Sequence, residues 1–345
     1  MAEEVLSKAT DSQDSPEVPP AKSQALWSRI LGIFLKQREA TIFIIAVALV
    51  IYFQASNSTF LSKQNIGLIS QYTAATAIIA FGEVMLLICG EIDLSVGFVY
   101  ALAPFVMYFA VQDGFPLPLA VIIGLVVSLL VGLFNGFVVV YLHVPSLIAT
   151  LGTGLLLNGI TLTISNAFQV LTPGTGTRFA GIMGNDTFSE ILWAIGIGVV
   201  MQIILSRTRW GLHTFAVGGN PLGASEVGVN IRLIKIRNFM ITSLFGGFAG
   251  ILEAFRITST QPDAGGTVIM FNAVAGAVIG GTALQGGSGT IIGAFLGVVV
   301  LGLLNDGFTF LGVNALTFDI VIGAAILIAM VLNVRLQRLR EAGKQ

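Results

Sequence analysis

The sequence predicts an all-α polytopic membrane protein with about ten transmembrane helices, and three observations carry that prediction. Of 345 residues, 55% are hydrophobic and only 10% are charged, against about 25% charged in a soluble domain. Mean hydropathy is +0.90. Apolar runs close to the roughly 20 residues that a membrane helix needs recur along the chain. A soluble globule of this size would require a charged surface that these residues cannot supply. The net charge of −1 leaves no basic footprint for nucleic acid. Forty-one glycines suit closely packed membrane helices. Cys89 is the single cysteine, which excludes an intrachain disulfide and a cysteine metal cluster.

Taken in order, residues 1–38 read as a disordered cytoplasmic tail. "DSQDSPEVPP" (Asp11–Pro20) has the polar, proline-rich composition that cannot bury a core. No apolar core with a cleavage site opens the chain, so no removable signal peptide is expected. The transmembrane domain then runs over 39–335, and 336–345 is a basic cytoplasmic tail. The ten candidate spans are 41–56, 65–82, 94–112, 117–141, 146–165, 190–206, 238–258, 269–282, 290–305 and 317–334. The eighth and ninth are short, with glycine-rich "GGTALQGGSG" (Gly280–Gly289) between them.

Charge sets the orientation. With the N-terminus inside, the inner segments hold Lys8, Lys22, Arg29, Lys36, Arg38, Arg207, Arg209, Arg232, Lys235, Arg237, Arg335, Arg338, Arg340 and Lys344. Only Lys63, Arg178 and Arg256 fall outside, as the positive-inside rule requires. Ten spans return the C-terminus to the same side.

Two connections are long: 166–189 outside and 207–237 inside. Loops of that length between packed helices are functional or disordered. Within the inner one, Asn220-Pro221 is a helix start, predicting a short helix along the cytoplasmic face. "CGEIDLSVG" (Cys89–Gly97) and "GGTALQGGSG" occupy equivalent places after inward-running spans. Paired glycine-interrupted segments of this kind point towards a transport path.

"GEVMLLICGEIDLSVGFVYAL" (Gly82–Leu102) puts Glu83, Glu91 and Asp93 into apolar sequence. Each carboxylate at a bilayer centre would cost about 2.5–3.5 kcal/mol. A broken helix resolves the conflict. Gly90 loosens the chain, Asp93 or Ser95 caps a helix beginning near Val96, and the N-terminal dipole stabilises the carboxylates. Glu83 is then expected to end its span, with Glu91 and Asp93 at the cytoplasmic turn. They serve either as caps of a polar turn or beside the translocation path. Glu253 and Arg256 can pair on one helix face. Asn135, Asn158, Asn272 and Asn305 lie in apolar runs, as interhelical hydrogen-bonding residues or as path residues. His143 reads as a solvated turn residue.

Missing motifs matter as much. There is no G-x-x-x-x-G-K-[ST] phosphate loop, no H-E-x-x-H and no G-x-S-x-G. The chain reads as no enzyme and as having no cofactor of its own; if it pumps, another protein supplies the energy.

In its blocks and their order, the chain resembles the permease subunits of ribose-type ABC sugar importers. The likeness runs over about residues 38–335. It is carried by "IDLSVG" (Ile92–Gly97), "VPSLIATLGT" (Val144–Thr153), "AVGGNPLGASEVGVNI" (Ala216–Ile231), "FGGFAGILEAFRITSTQPDAG" (Phe245–Gly265), "AVIGGTALQGGSG" (Ala277–Gly289) and "LGLLNDGFTFLGV" (Leu301–Val313). The resemblance implies the type II, vitamin-B12-like importer fold. It also implies a second permease copy (homodimer or paralogue), an ABC ATPase that binds ATP and magnesium, an external binding protein, and placement in the plasma (bacterial inner) membrane. It assigns the ATPase-coupling loop to Gly218, Gly219, Asn220, Ser225, Glu226 and Gly228. Residues expected at the path or gate are Glu91, Asp93, Ser95, Asn158, Asn272, Gly286 and Gly287. The chain departs from the family pattern at Glu91 (usually Gly), at Ser288 and Thr290 (usually basic) and at Asn272 (usually acidic).

The substrate class implied is a monosaccharide such as ribose, xylose, arabinose or galactose, or a related polyol. Two alternatives stand beside it: an autoinducer-2 importer permease, and a proton- or sodium-coupled carrier using Glu83, Glu91, Asp93, Glu253 and Arg256 as a relay.

Overall fold

A computed structural model describes residues 38–313 and scattered positions between 317 and 331. Among the described residues the long helices are α1 (Arg38–Ser56), α2 (Lys63–Ile88), α3 (Val96–Gln112), α4 (Leu117–Tyr141), α5 (Ser146–Ser165), α6 (Ser189–Arg207), α9 (Ile231–Arg256), α10 (Gly266–Ile279) and α11 (Ile291–Phe310). Between α6 and α9 lie α7 (Arg209–Gly219) and α8 (Pro221–Glu226). Each of the first nine predicted spans therefore has a helix. The N-terminal tail (1–37) and the basic C-terminal tail lie outside the described residues, and so does most of the tenth span.

Local chemistry explains the helix boundaries. The side chains of Ser62, Thr208, Asn220, Asn230 and Thr290 each accept the backbone N–H three residues on, starting α2, α7, α8, α9 and α11. Pro116 and Pro145 stand at the entries of α4 and α5. Asn166, left-handed at φ 51°, ends α5.

Among the described residues seven helices are long and apolar enough to cross a bilayer; α3 and α10 are shorter, at 17 and 14 residues. α2 and α9 form the sheathed centre. α1, α4, α5 and α6 turn apolar side chains outward, among them Ile51, Leu130, Leu155 and Leu192. Such faces are matched by lipid rather than water.

α9 is the ruler of the bundle, since 26 residues rise about 39 Å. α2 runs antiparallel to it: Asn238 Nδ2 donates to Met85 O at 3.0 Å, and Gly82 packs on Thr242. α3 does not start level with the end of α2. Val96 packs on Gly246, 15 residues and about 22 Å along α9. Residues 89–95 thus climb back into the bundle, and α3 begins deep inside it. Pro104 within α3 removes the N–H that Tyr100 O would have accepted. Gly250 of α9 sits directly on that carbonyl, an approach that a Cβ would block. α10 also begins inside, with Gly266 against the backbone beside Gly97.

The contacts sort into two ends. The end bearing Arg38 carries Arg207, Arg209, Arg232, Lys235 and Arg237; the opposite end carries Asp113, Asp186, Glu190, Glu253, Asp263 and Asp306. At that opposite end the long connection 166–189 is ordered. β1 (Val170–Leu171) pairs antiparallel with β2 (Ser259–Thr260), matching Val170 to Thr260. A short helical rim over 178–185 lies on the end of α9, where Asn185 Nδ2 donates to Phe255 O at 3.0 Å.

Candidate coupling site and transport path

Three segments singled out in the sequence converge at the Arg38 end. Gly287 N donates to Ile88 O at 2.9 Å, which joins the two glycine-interrupted connections. Gly218 of α7 lies on the same Ile88 carbonyl and against Gly287 N, so closely that a methyl group there would overlap backbone. Gly286, left-handed at φ 89°, packs on Gly218 O and Ile88 O. Gly90 turns the chain at φ 75°. Three backbones meet there without side chains between them.

Connection 207–237 is therefore mostly helical. The predicted start at Asn220 is present: its Oδ1 accepts from Gly223 N at 3.0 Å. Ser225 and Glu226 close α8, and Gly228 reverses the chain at φ 84°. The sequence pattern did not disclose α7, in which Gly218 and Gly219 are helical rather than a loop. Thr208 before Trp210, Thr214 and Val217 was the available signal. That face docks on α2 and α9: Thr214 and Val217 are buried, and Trp210 Nε1 donates to Asn238 Oδ1 at 2.8 Å.

Two expectations about the carboxylates need correction. Glu83 does not end its span, because α2 continues to Ile88 and Glu83 is fully buried within it. Asp93 does not sit at a surface turn. Its Oδ1 accepts from Ser95 N at 2.9 Å and Ser95 Oγ at 2.6 Å, and its Oδ2 from Ser243 Oγ at 3.1 Å. Ser243 is 12 residues, or about 18 Å, along α9. Asn135 Nδ2 completes the cluster on Asp93 (3.3 Å) and Ser95 Oγ (2.8 Å), while Thr150 Oγ1 accepts Leu94 N at 3.0 Å. Asp93 is the acceptor that ends the break, and Ser95 stands at the N-cap position without a capping bond of its own. The run 89–95 lies outside any helical ladder, so Thr150 of α5 and the Asp93 carboxylate accept backbone N–H groups there, while Asn135 of α4 and Ser243 of α9 hold that carboxylate in place. Pattern reading found Asp93 and Asn135 but gave no sign of Ser243 or Thr150.

Glu91 alone of the three stands at the Arg38 end. Lys235 Nζ donates to its Oε1 at 2.5 Å. Thr290, another departure, accepts Gly293 N at 3.0 Å to cap α11 and donates to Glu39 at 2.9 Å. His143 is exposed in its turn, as expected.

At the other end Arg256 grips Glu253 through Nε (2.6 Å) and a terminal nitrogen (2.5 Å), the pairing expected. Glu190 of α6 lies 3.7 Å from Arg256 Nε. Asn272 Nδ2 donates to Tyr72 Oη at 3.1 Å, an interhelical bond between α10 and α2. Asn158 is half-buried on α5, which packs on α3 and α4, and joins neither cluster. From Tyr72 to Glu83 along α2 is about 16 Å, filled by residues such as Ala77, Ile78 and Ala80. Among the described residues no cluster of His, Cys, Asp and Glu could hold a metal ion.

Residues 65–330 match the family model described as "Branched-chain amino acid transport system / permease component". Curated proteins are similar over most of their length. The xylose/arabinose import permease protein XylH of Sulfolobus acidocaldarius is 37% identical over 306 residues, 87% of this chain and 85% of that one. The ribose import permease protein RbsC of Bacillus subtilis is 32% identical over 289 residues, 83% and 89% of the two chains. The autoinducer 2 import system permease protein LsrC of Salmonella typhi is 30% identical over 314 residues, 89% of each. No solved structure matches.

Proposed function

The chain belongs to the permease family of ribose-type ABC sugar importers, and from that premise we propose that it forms the membrane path for a pentose, with a partner ATPase acting through α7 and α8. It is a transport subunit, not an enzyme. The observation that carries the coupling assignment is the meeting of Gly218, Ile88 and Gly287. A push on the α7–α8 surface reaches both broken connections through backbone contacts. Asn220, Ser225, Glu226 and Gly228 shape that surface, and Gly219 leaves it open.

The Arg38 end is read as cytoplasmic because its cations obey the positive-inside rule. ATP and magnesium then belong to the ATPase docked there, and an external binding protein delivers substrate to the acidic end. A second permease copy, the type II fold and a tenth span over 317–334 complete the proposed assembly in the plasma membrane. Alternating access follows when ATPase closure favours one of two arrangements of the paired permeases. Asp93, Ser95, Gly286 and Gly287 are the gate's framework in this reading, and Glu91 is locked to Lys235. A pentose is favoured by the XylH and RbsC likenesses, with galactose and autoinducer-2 as the neighbouring choices. A proton relay is disfavoured by the apolar gap between the inner and outer carboxylates.

The test is recovery of the tagged chain from native membranes, with ATPase activity assayed and uptake of labelled xylose, arabinose, ribose and galactose measured. Co-purification of an ABC ATPase with ATP-dependent sugar uptake supports the proposal. Absence of any ATPase, with uptake abolished by collapsing the proton gradient but not by depleting ATP, overturns it.

A further inference from the structure

We infer that the cavity between α2, α3, α9 and α10 is a holding station for one neutral polyhydroxy ligand of monosaccharide size, and that Tyr72 and Asn272 select it; this rests on the importer reading above. The cavity has a volume of about 220 Å³, below the roughly 300–1,000 Å³ of pockets for drug-sized ligands. Gln71, Tyr72, Tyr100, Glu253, Arg256 and Asn272 line it. It is open at Tyr72, which is 37% exposed and nine residues, about 13 Å, from the start of α2, while Tyr100 and Asn272 on its wall are buried.

Three independent features describe its ligand. Asn272 is only 7% exposed, yet it uses Nδ2 on Tyr72 Oη and spends Oδ1 on no described group. Tyr72 Oη accepts that bond, so its own proton is free to donate. Donor and acceptor side by side at one wall match a hydroxyl, which both donates and accepts. The second feature is the start of α10. Gly265 supplies no side-chain cap, so the first-turn N–H groups of α10 are left for a ligand at the cavity edge, where Gly265, Val268 and Ile269 stand. The third is charge. Arg256 is already engaged by Glu253 and approached by Glu190, so one cation faces two carboxylates. That wall offers hydrogen bonds but no uncommitted cation for an anionic group. A carboxylate-bearing ligand such as a branched-chain amino acid would lie beside Glu253; a sugar ring finds polar edges there and the Tyr72 face for its C–H surface.

The experiment uses the complete importer in cells, with Tyr72→Phe and Asn272→Ala variants. The probes are labelled D-xylose, L-arabinose, D-ribose and L-valine, and the yield of assembled complex is measured alongside. The expected result is sugar uptake without valine uptake by the wild type. Each variant should lower sugar uptake about tenfold at normal complex yield and alter the ratio among the three sugars. Loss of a hydroxyl that served only folding would lower yield and leave that ratio unchanged, and this outcome overturns the inference. So does wild-type uptake and ratio in both variants, or valine uptake. If Asn272→Ala does not assemble, the decision falls on Tyr72→Phe, which removes one oxygen and keeps the ring. A wild type that imports none of the probes and co-purifies with no ATPase defeats the importer reading itself, and is thereby distinguishable.

Discussion

Adjacent glycines in "AVGGN" should respond oppositely to the same substitution. Gly218 and Gly219 end α7, and at both an added methyl gains about 1 kcal/mol of helix propensity. At Gly219 nothing lies within reach of the new methyl; at Gly218 it would overlap the Ile88 carbonyl and press on Gly287 N. Forcing a methyl into a filled contact costs about 1–3 kcal/mol. Separating Gly287 N from Ile88 O forfeits about 1 kcal/mol more. Gly218→Ala should therefore destabilise the chain by about 1–3 kcal/mol net, and Gly219→Ala should be neutral or stabilising by up to about 1 kcal/mol. The assay is thermal unfolding of the purified importer complex in detergent, with ATP-driven uptake in parallel. The expected outcome is a lower melting temperature and impaired uptake for Gly218→Ala alone. Equal effects of the two substitutions, or a silent Gly218→Ala, would refute the close contact on which the coupling argument stands.

Other outcomes follow from the same geometry. Asp93→Ala removes the acceptor shared by Ser95, Asn135 and Ser243 and leaves buried donors unmatched, at about 1–3 kcal/mol each. It should impair expression and uptake more than Glu83→Ala, whose carboxylate, among the described residues, accepts Asp93 N at 3.5 Å and nothing else, and immunoblot plus uptake compares the two. Reversing Glu91 to Lys should lower complex stability by about 1 kcal/mol or less, as for other partly exposed pairs. Reversing Lys235 to Glu in the same chain should recover it, read as a double-mutant cycle of melting temperatures. Asn220→Ala should cost about 1 kcal/mol through its lost N-cap, and Asn220→Ser should retain most of it, read in the same melt.

Apolar length and charge placement sufficed for the membrane class and nine helices because both act locally along the chain. The cap at Asn220 made the start of α8 legible, whereas those at Thr208 and Asn230 went unread, so α9 begins seven residues ahead of its expected span. Depth was not legible. The climb of residues 89–95 depends on Asn135, Thr150 and Ser243, which are 40 to 150 residues away, and no local pattern encodes that reach. Glu83 was misplaced because a carboxylate in apolar sequence reads as a span end, whereas here neighbouring helices enclose it. α7 was missed because its buried face is built of Gly211, Thr214 and Val217, which small size rather than apolarity fits to the bundle. The Tyr72–Asn272 bond joins residues 200 apart and could be found only once α10 was placed.

The central helix has anchors at both extremities: Lys235 is tied to Glu91 near one, and the rim and β1–β2 clasp hold the other. In the transport reading proposed above, a rod of about 39 Å gripped at both tips would pass a tilt from one end to the other. Pivoted on the tight Gly246–Gly250 stretch, about two-thirds of the way along, a tilt of about 5° would carry the Ile231 tip about 2 Å and the Arg256 tip about 1 Å in opposite directions. Under that reading, such a stroke would strain the Lys235–Glu91 contact at one tip while it shifts the Glu253 and Arg256 wall of the cavity at the other. A single stiff element would thereby make the two mouths open in antiphase.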